Sequence, residues 1–168
     1  MATIINADTS NGLKLTPDTS GTISLQSAGV DKAIIGSTGF IQSLEKITIS
    51  ATAATGTINY DTGTQSVVYY TTAATGDWTV NFRHSSGATL NSKMATGEAI
   101  TLVHLVTLTG AEYRNTTVQV DGSSITPEWQ GGSAPTAGNT NSIDSYTYTI
   151  IKTGDAAFTI LAALVQFA

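Results

Sequence analysis

The side chains best able to move a proton near neutral pH are His84 and His104. Neither stands in a catalytic motif. His104 falls inside an apolar run, where a structural role is expected. His84 opens the polar stretch Ser85-Ser86-Gly87 and reads as an exposed loop residue. Serine and threonine are abundant, yet no Gly-x-Ser-x-Gly elbow presents one as a nucleophile. Cysteine is absent, which removes thiolate chemistry, disulfides and thiolate-bound zinc together. No pair of histidines has the spacing of a zinc site. Asp8-Thr9-Ser10-Asn11-Gly12 begins like a calcium loop but lacks the later acidic ligands and closing Glu, so a plain turn is expected. No glycine-rich loop ends in Lys-Ser/Thr to cradle a phosphate. Glu98, Glu112 and Glu128 read as solvent-facing charges. A carboxylate pair converging in a cleft would be needed for glycan cleavage, the third-ranked reading. Asn115-Thr116-Thr117 matches a glycosylation sequon, read as coincidence without a signal peptide. The expectation is a protein with no catalysis, no cofactor and no metal.

The aromatic residues are the next candidates. Trp78 and Tyr146 alternate with polar neighbours and read as core. Trp129 borders the polar loop Gly131–Asn141. It is the candidate exposed loop contact, equally suited to stacking on a sugar or plugging the core.

The composition says what must position these groups. The chain has 168 residues, enough for one domain and a short arm. Only 11% are charged, under half the roughly 25% usual in soluble proteins, and 30 Thr and 16 Ser take up the difference. Hydrophobic residues at 40% suffice for a core. The seven Lys and Arg are scattered in a chain of net charge −5, so no basic stripe exists to follow a nucleic acid. No apolar run approaches the roughly 20 residues of a membrane span, and no signal peptide is recognisable.

Thr, Val, Ile, Tyr and Trp in short runs separated by Gly, Asn, Asp and Ser indicate strands. The expected fold is an all-β, antiparallel, jelly-roll-like β-sandwich over residues 47–168, preceded by a short N-terminal β arm over 1–46. Expected core residues are Val67, Tyr69, Trp78, Val80, Phe82, Leu102, Tyr148, Ile150 and Ile160. Ser66–Thr72 and Ala99–Leu108 are apolar at both parities, so both faces are expected to be partly covered. Phe158–Phe167 is assigned to a final strand. Asp121-Gly122 signals a tight hairpin. Ala-Ala-Thr-Gly at 53–56 and 73–76, and Ala-Thr-Gly at 95–97, form a weak repeat that suggests equivalent corners of a meander. The arm has short strands around Leu13, Leu15, Ile23, Leu25, Ile34 and Ile35. These six are the candidate assembly contacts, because such strands bury too little surface alone and leave edges open.

Two segments carry a family resemblance. Asn11-Gly12-Leu13-Lys14-Leu15, followed by Asp18-Thr19-Ser20-Gly21-Thr22-Ile23-Ser24-Leu25-Gln26-Ser27-Ala28-Gly29, resembles the opening of many tailed-phage virion proteins. Trp129-Gln130-Gly131-Gly132-Ser133-Ala134-Pro135-Thr136, then Ile143-Asp144-Ser145-Tyr146-Thr147-Tyr148, is similar to a C-terminal module of those proteins in marine phages and cyanophages. Where that module continues with an Asp-Gly-Gly-Thr turn and a Trp strand, this chain has Lys152-Thr153-Gly154-Asp155 and Phe158. The matches cover about a third of the chain. The resemblance implies an all-β virion component, often trimeric, without cofactor or catalysis, assembled in the host cytoplasm.

The leading functional expectation is therefore a capsid decoration or cement protein. It would form a homotrimer and bridge other virion proteins such as the major capsid protein, with no nucleic-acid or membrane partner. The alternative is a short tail fibre or baseplate component that binds host-surface glycans.

Overall fold

The computed structural model describes residues 23–27, 29–36, 39–43, 45 and 47–168. The chain divides into two compact units, Met1–Leu44 and Glu45–Ala168. In the first unit, β1 (Ile23–Ser27), β2 (Val30–Gly36) and β3 (Gly39–Ser43) form an antiparallel sheet in that order. Gly29, at φ 74°, makes the β1–β2 turn.

The second unit is all-β and sandwich-like, as the composition indicates. Its strands are β4 (Ile47–Ala53), β5 (Gly56–Asp61), β6 (Val67–Thr72), β7 (Trp78–Arg83), β8 (Ala99–Leu108), β9 (Asn115–Val120) and β10 (Ser123–Ile125). The short β11 (Glu128–Trp129) and a 3-10 turn at Gln130–Gly132 lead to the long hairpin of β12 (Ser142–Gly154) and β13 (Ala157–Phe167). A six-stranded sheet has the order β11-β13-β12-β8-β6-β4, and a four-stranded sheet has the order β10-β9-β7-β5.

The pairing differs from the expected jelly roll. From β4 to β9 the chain crosses from one sheet to the other at every strand. Each strand pairs in parallel with the one two steps later: β4 with β6, β6 with β8, β5 with β7, β7 with β9. This stretch is a flattened parallel winding, not a meander, and only the closing strands are antiparallel. Alternating polarity reads the same for either pairing, so the sequence pattern does not separate them.

The Ala-Ala-Thr-Gly repeat is explained in part. Ala54 and Ala74 are buried at equivalent corners of successive turns, and their main chains continue the ladder: Thr75 N–H donates to Ala54 (3.2 Å) and Ala74 N–H to Thr107 (2.9 Å). Gly97 lies at the opposite corner, before β8, so the third match is not structurally equivalent. The third turn instead places Gly110, at φ 71°, after β8.

The core lies between the sheets. Trp78, Val80, Phe82, Leu102, Tyr148, Ile150 and Ile160 are buried as expected, with Tyr60, Leu90, Val106, Leu108 and Tyr146. Val67 and Tyr69 are not in it. Strand β6 is set in the other phase, with Val68 buried and Tyr70 packed against the core. A run apolar at both parities carries no phase information, and the parallel register Val68↔His104 decides it.

The buried polar side chains include Asn115 and His104. Asn115 of β9 bolts the two sheets together. Its Nδ2 donates to the carbonyls of Trp78 (3.1 Å) and Thr117 (3.0 Å), and its Oδ1 accepts from the Tyr148 hydroxyl (3.2 Å). The sequon asparagine is thus a core residue, 3% exposed. His104 of β8 is fully buried, with neither ring nitrogen hydrogen-bonded. The rings of Tyr70 (5.3 Å between centroids) and Trp78 (5.9 Å) meet it edge-on, with Tyr60 and Tyr146 farther out. Burial pushes the imidazole pKa down to about 3.

Residues 84–98 form the long link between β7 and β8, and three acceptor or donor groups pin it. The Asp121 carboxylate accepts from the Leu90 (2.7 Å) and Asn91 (2.9 Å) amides. Asn91 bonds Asp155 and the Ala156 amide. The buried Lys152 ammonium donates to the carbonyls of Asn91 (2.6 Å) and Met94 (2.8 Å). Replacing Lys152 by Met keeps the stem and strands both carbonyls. A loss of about 2 kcal/mol is expected. Urea titration would show it, with faster proteolytic cutting between 84 and 98 than elsewhere.

Candidate functional site

The two outer faces of the sandwich differ in chemistry. On the four-stranded sheet, alternation exposes Thr57, Asn59 and Asp61 of β5 beside Thr79, Asn81 and Arg83 of β7. These side chains form a cross-strand polar ladder. Asn81 donates to Asn59 (2.9 Å), and Arg83 donates to Asp61 (2.6 Å) as an ion pair. Thr117 and Gln119 of β9 extend it. This face is dressed for water.

The outer face of the six-stranded sheet is the opposite. One lateral row runs Ile49, Tyr69, Leu105, Ser145, Val165 across β4, β6, β8, β12 and β13. The next row runs Ile47, Val67, Val103, Thr147, Ala163. Thr101, Thr149 and Leu161 make a third row, and Thr107, Ile143 and Phe167 a fourth. No side chain that these five strands turn outward is charged. The short margin strand β11 adds Glu128 beside Leu161.

Every exposed large apolar side chain of the second unit lies on this face: Ile47 (53% exposed), Ile49 (70%), Leu161 (47%), Val165 (48%) and Phe167 (57%). The two ends of the rows are thus the most open, while Val103 and Leu105 in the middle are half-buried. Uncharged and studded with exposed apolar side chains, this face is the candidate contact surface of the second unit. Hydroxyls of Thr, Ser and Tyr69 are interleaved with its apolar groups.

The expected assembly residues are only partly visible. Leu13 and Leu15 lie outside the described residues. Ile23 and Ile35 are paired across β1 and β2, with the exposed Leu25 two residues on from Ile23. Ile34 is opposite Ser24 and points to the other side of that sheet. The first unit therefore divides these residues between two faces.

Trp129 is more plug than platform. It packs half-buried against Tyr146 and Tyr148, with ring centroids 6.4 and 6.3 Å away in edge-to-face contact. Its remaining surface borders a cleft of about 350 Å³ that also involves Arg114, Thr116, Thr126 and Pro135. No carboxylate lines this cleft, so it has no pair for glycoside cleavage. Asp144, the acid of the Asp-x-Tyr strand, points into the core instead. It accepts from the Asn139 amide (3.2 Å) and Ser142 (3.2 Å), and burial raises its pKa against those bonds. His84 lies beside Gly63, whose amide donates to its carbonyl (3.0 Å). Among the described residues, no three His, Asp or Glu side chains cluster as metal ligands.

No protein-family model, curated protein or solved structure matches this chain.

The six candidate assembly contacts were all expected in the arm, and the outer face of the six-stranded sheet was not among them. Ala99–Leu108, apolar at both parities, was the sequence signal for a second apolar face.

Proposed function

We propose that the protein is a non-catalytic structural subunit of a tailed-phage virion, a decoration or cement protein that forms a homotrimer and bridges capsid subunits. One observation carries the structural reading: an extended uncharged face, opposite a polar face suited to solvent. Such a two-sided unit works by burying surface against a neighbour. Its effect on a shell is mass-action stabilisation, since a subunit that binds only the assembled state favours that state. The virion setting rests on the sequence resemblance at Asn11–Gly29 and Trp129–Tyr148, and it implies assembly in the host cytoplasm.

The expected result is that label against the protein decorates the capsid shell in electron micrographs. Particles lacking it should lose infectivity on heating while adsorbing normally to cells. Label confined to the tail, with adsorption lost, would replace this reading.

A second reading is supported by the cleft beside Trp129. A tail-fibre or baseplate component could hold a glycan there, with the indole edge against the sugar and Arg114 and the threonines bonding its hydroxyls. In that case a glycan array gives a signal with the intact chain that Trp129→Ala abolishes.

A further inference from the structure

We propose that the uncharged outer face of the six-stranded sheet is the surface on which copies of this chain pack against each other. The inference rests on the structural-subunit reading and supplies what that reading leaves open: where the self-contact lies.

Area is the first argument. The five strands β4, β6, β8, β12 and β13 lie side by side. At about 4.8 Å per strand and about 3.3 Å per residue they present roughly 24 by 28 Å, or about 700 Å² per copy. A standard stable protein interface buries about 800 Å² per partner. Shared with its neighbours around a closed axis, the face comes close to that size.

Charge is the second argument. Each copy carries −5, from 12 acidic and 7 basic residues. Copies repel unless the contact excludes those charges, and the five strands turn none of them outward. A basic partner would find no acid to pair with, and an acidic one no base. Only an equally uncharged, apolar surface fits, and this chain has one to offer its copies. Closed symmetry then limits the assembly to a small number of copies.

The distribution of the apolar groups suits this contact. In the middle of the first two rows Val103 and Leu105 are half-buried beside Ser145 and Thr147, while Ile47 and Ile49 at one margin and Val165 and Phe167 at the other stand most exposed. Around an axis, the open margins of one copy meet the margins of the next.

The test uses the full chain. Light scattering after size exclusion, at about 10 µM, reads the mass of the wild type, of Leu105→Lys, of Ser145→Lys and of Thr79→Lys. The first two variants put a charge in the middle of the uncharged face, and the third puts one on the polar face. Far-ultraviolet circular dichroism checks that each is folded. The wild type should be a dimer or trimer. Leu105→Lys and Ser145→Lys should dissociate at least 100-fold more readily and run as folded monomers, with Thr79→Lys unchanged. Ser145→Lys, which removes no apolar contact, keeps the test open if Leu105→Lys fails to fold. An oligomer that survives both face variants would overturn this inference and leave the structural-subunit reading standing. A monomeric wild type that nonetheless labels the virion shell would also overturn it, and would hand the face to another virion protein.

Discussion

Acid should begin to weaken the second unit above the carboxylate range, and His104→Leu should remove that sensitivity. His104 is fully buried without a hydrogen bond, and its pKa in the fold is about 3. Its ordinary value is about 6.5. The unfolded chain therefore takes up the proton first. Stability from the neutral imidazole is complete above about pH 6.5 and falls as the pH drops from there towards 3. At pH 4.5 the loss is about 2.7 kcal/mol, two pKa units' worth. That is a large share of a typical 5–15 kcal/mol total. Asp144, raised in the fold, acts in the opposite sense and only in the carboxylate range. Urea titrations at pH 7, 5.5 and 4.5 should show the wild-type midpoint falling and that of His104→Leu nearly level. At pH 7 the variant should be as stable as the wild type or more so, because an apolar group replaces two orphaned nitrogens. Parallel decline of both proteins would refute this.

Asn115→Asp should be among the most damaging isosteric changes available. The amide nitrogen that donates to Trp78 and Thr117 becomes an oxygen facing their two carbonyls. Both carbonyls lose a donor, and a carboxylate would have to ionise among them between the sheets. A cost of about 3–5 kcal/mol at pH 7 follows. Protonation restores one donor, so the penalty should shrink as the pH falls towards 4. A urea midpoint within experimental error of wild type at pH 7 would show that the amide is not the bolt described.

What the sequence made legible is what local pattern encodes. Trp78-Thr79-Val80-Asn81-Phe82 alternates, and the strand and its buried face follow. Asp121-Gly122 takes φ 52° and 83°, the tight hairpin its residue types favour. The final strand over Phe158–Phe167 is present. Strand direction was not legible, because β4 and β6 alternate alike whether parallel or antiparallel. Nor was the phase of Val67-Val68-Tyr69-Tyr70, where every residue is apolar. The uncharged outer face was written in the residues but ambiguous, since a doubly apolar strand does not say what, if anything, lies against its second side. The buried histidine was recognisable as structural from its run, Leu102-Val103-His104-Leu105-Val106. Its missing partners depend on four aromatic rings from distant strands and could not be read locally.

The parallel winding also sets how this unit can change length over evolution. Ile47 lies over Val67 and Val67 over Val103, each in register. An insertion of one residue within such a strand turns the inward row beyond it outward. A whole circuit of about 20 residues added ahead of Ile47, at the open edge formed by β4 and β5, leaves every existing pair in place and widens both sheets by one strand. Extra residues that are not a full circuit have to be looped out, as in 84–98, and tied down by groups such as Asp121 and Lys152. Relatives of this chain should therefore differ in length by whole circuits or by loops at corners. Each added circuit would also broaden the uncharged face by about 4.8 Å, so the grip between neighbours would be inherited in the same steps.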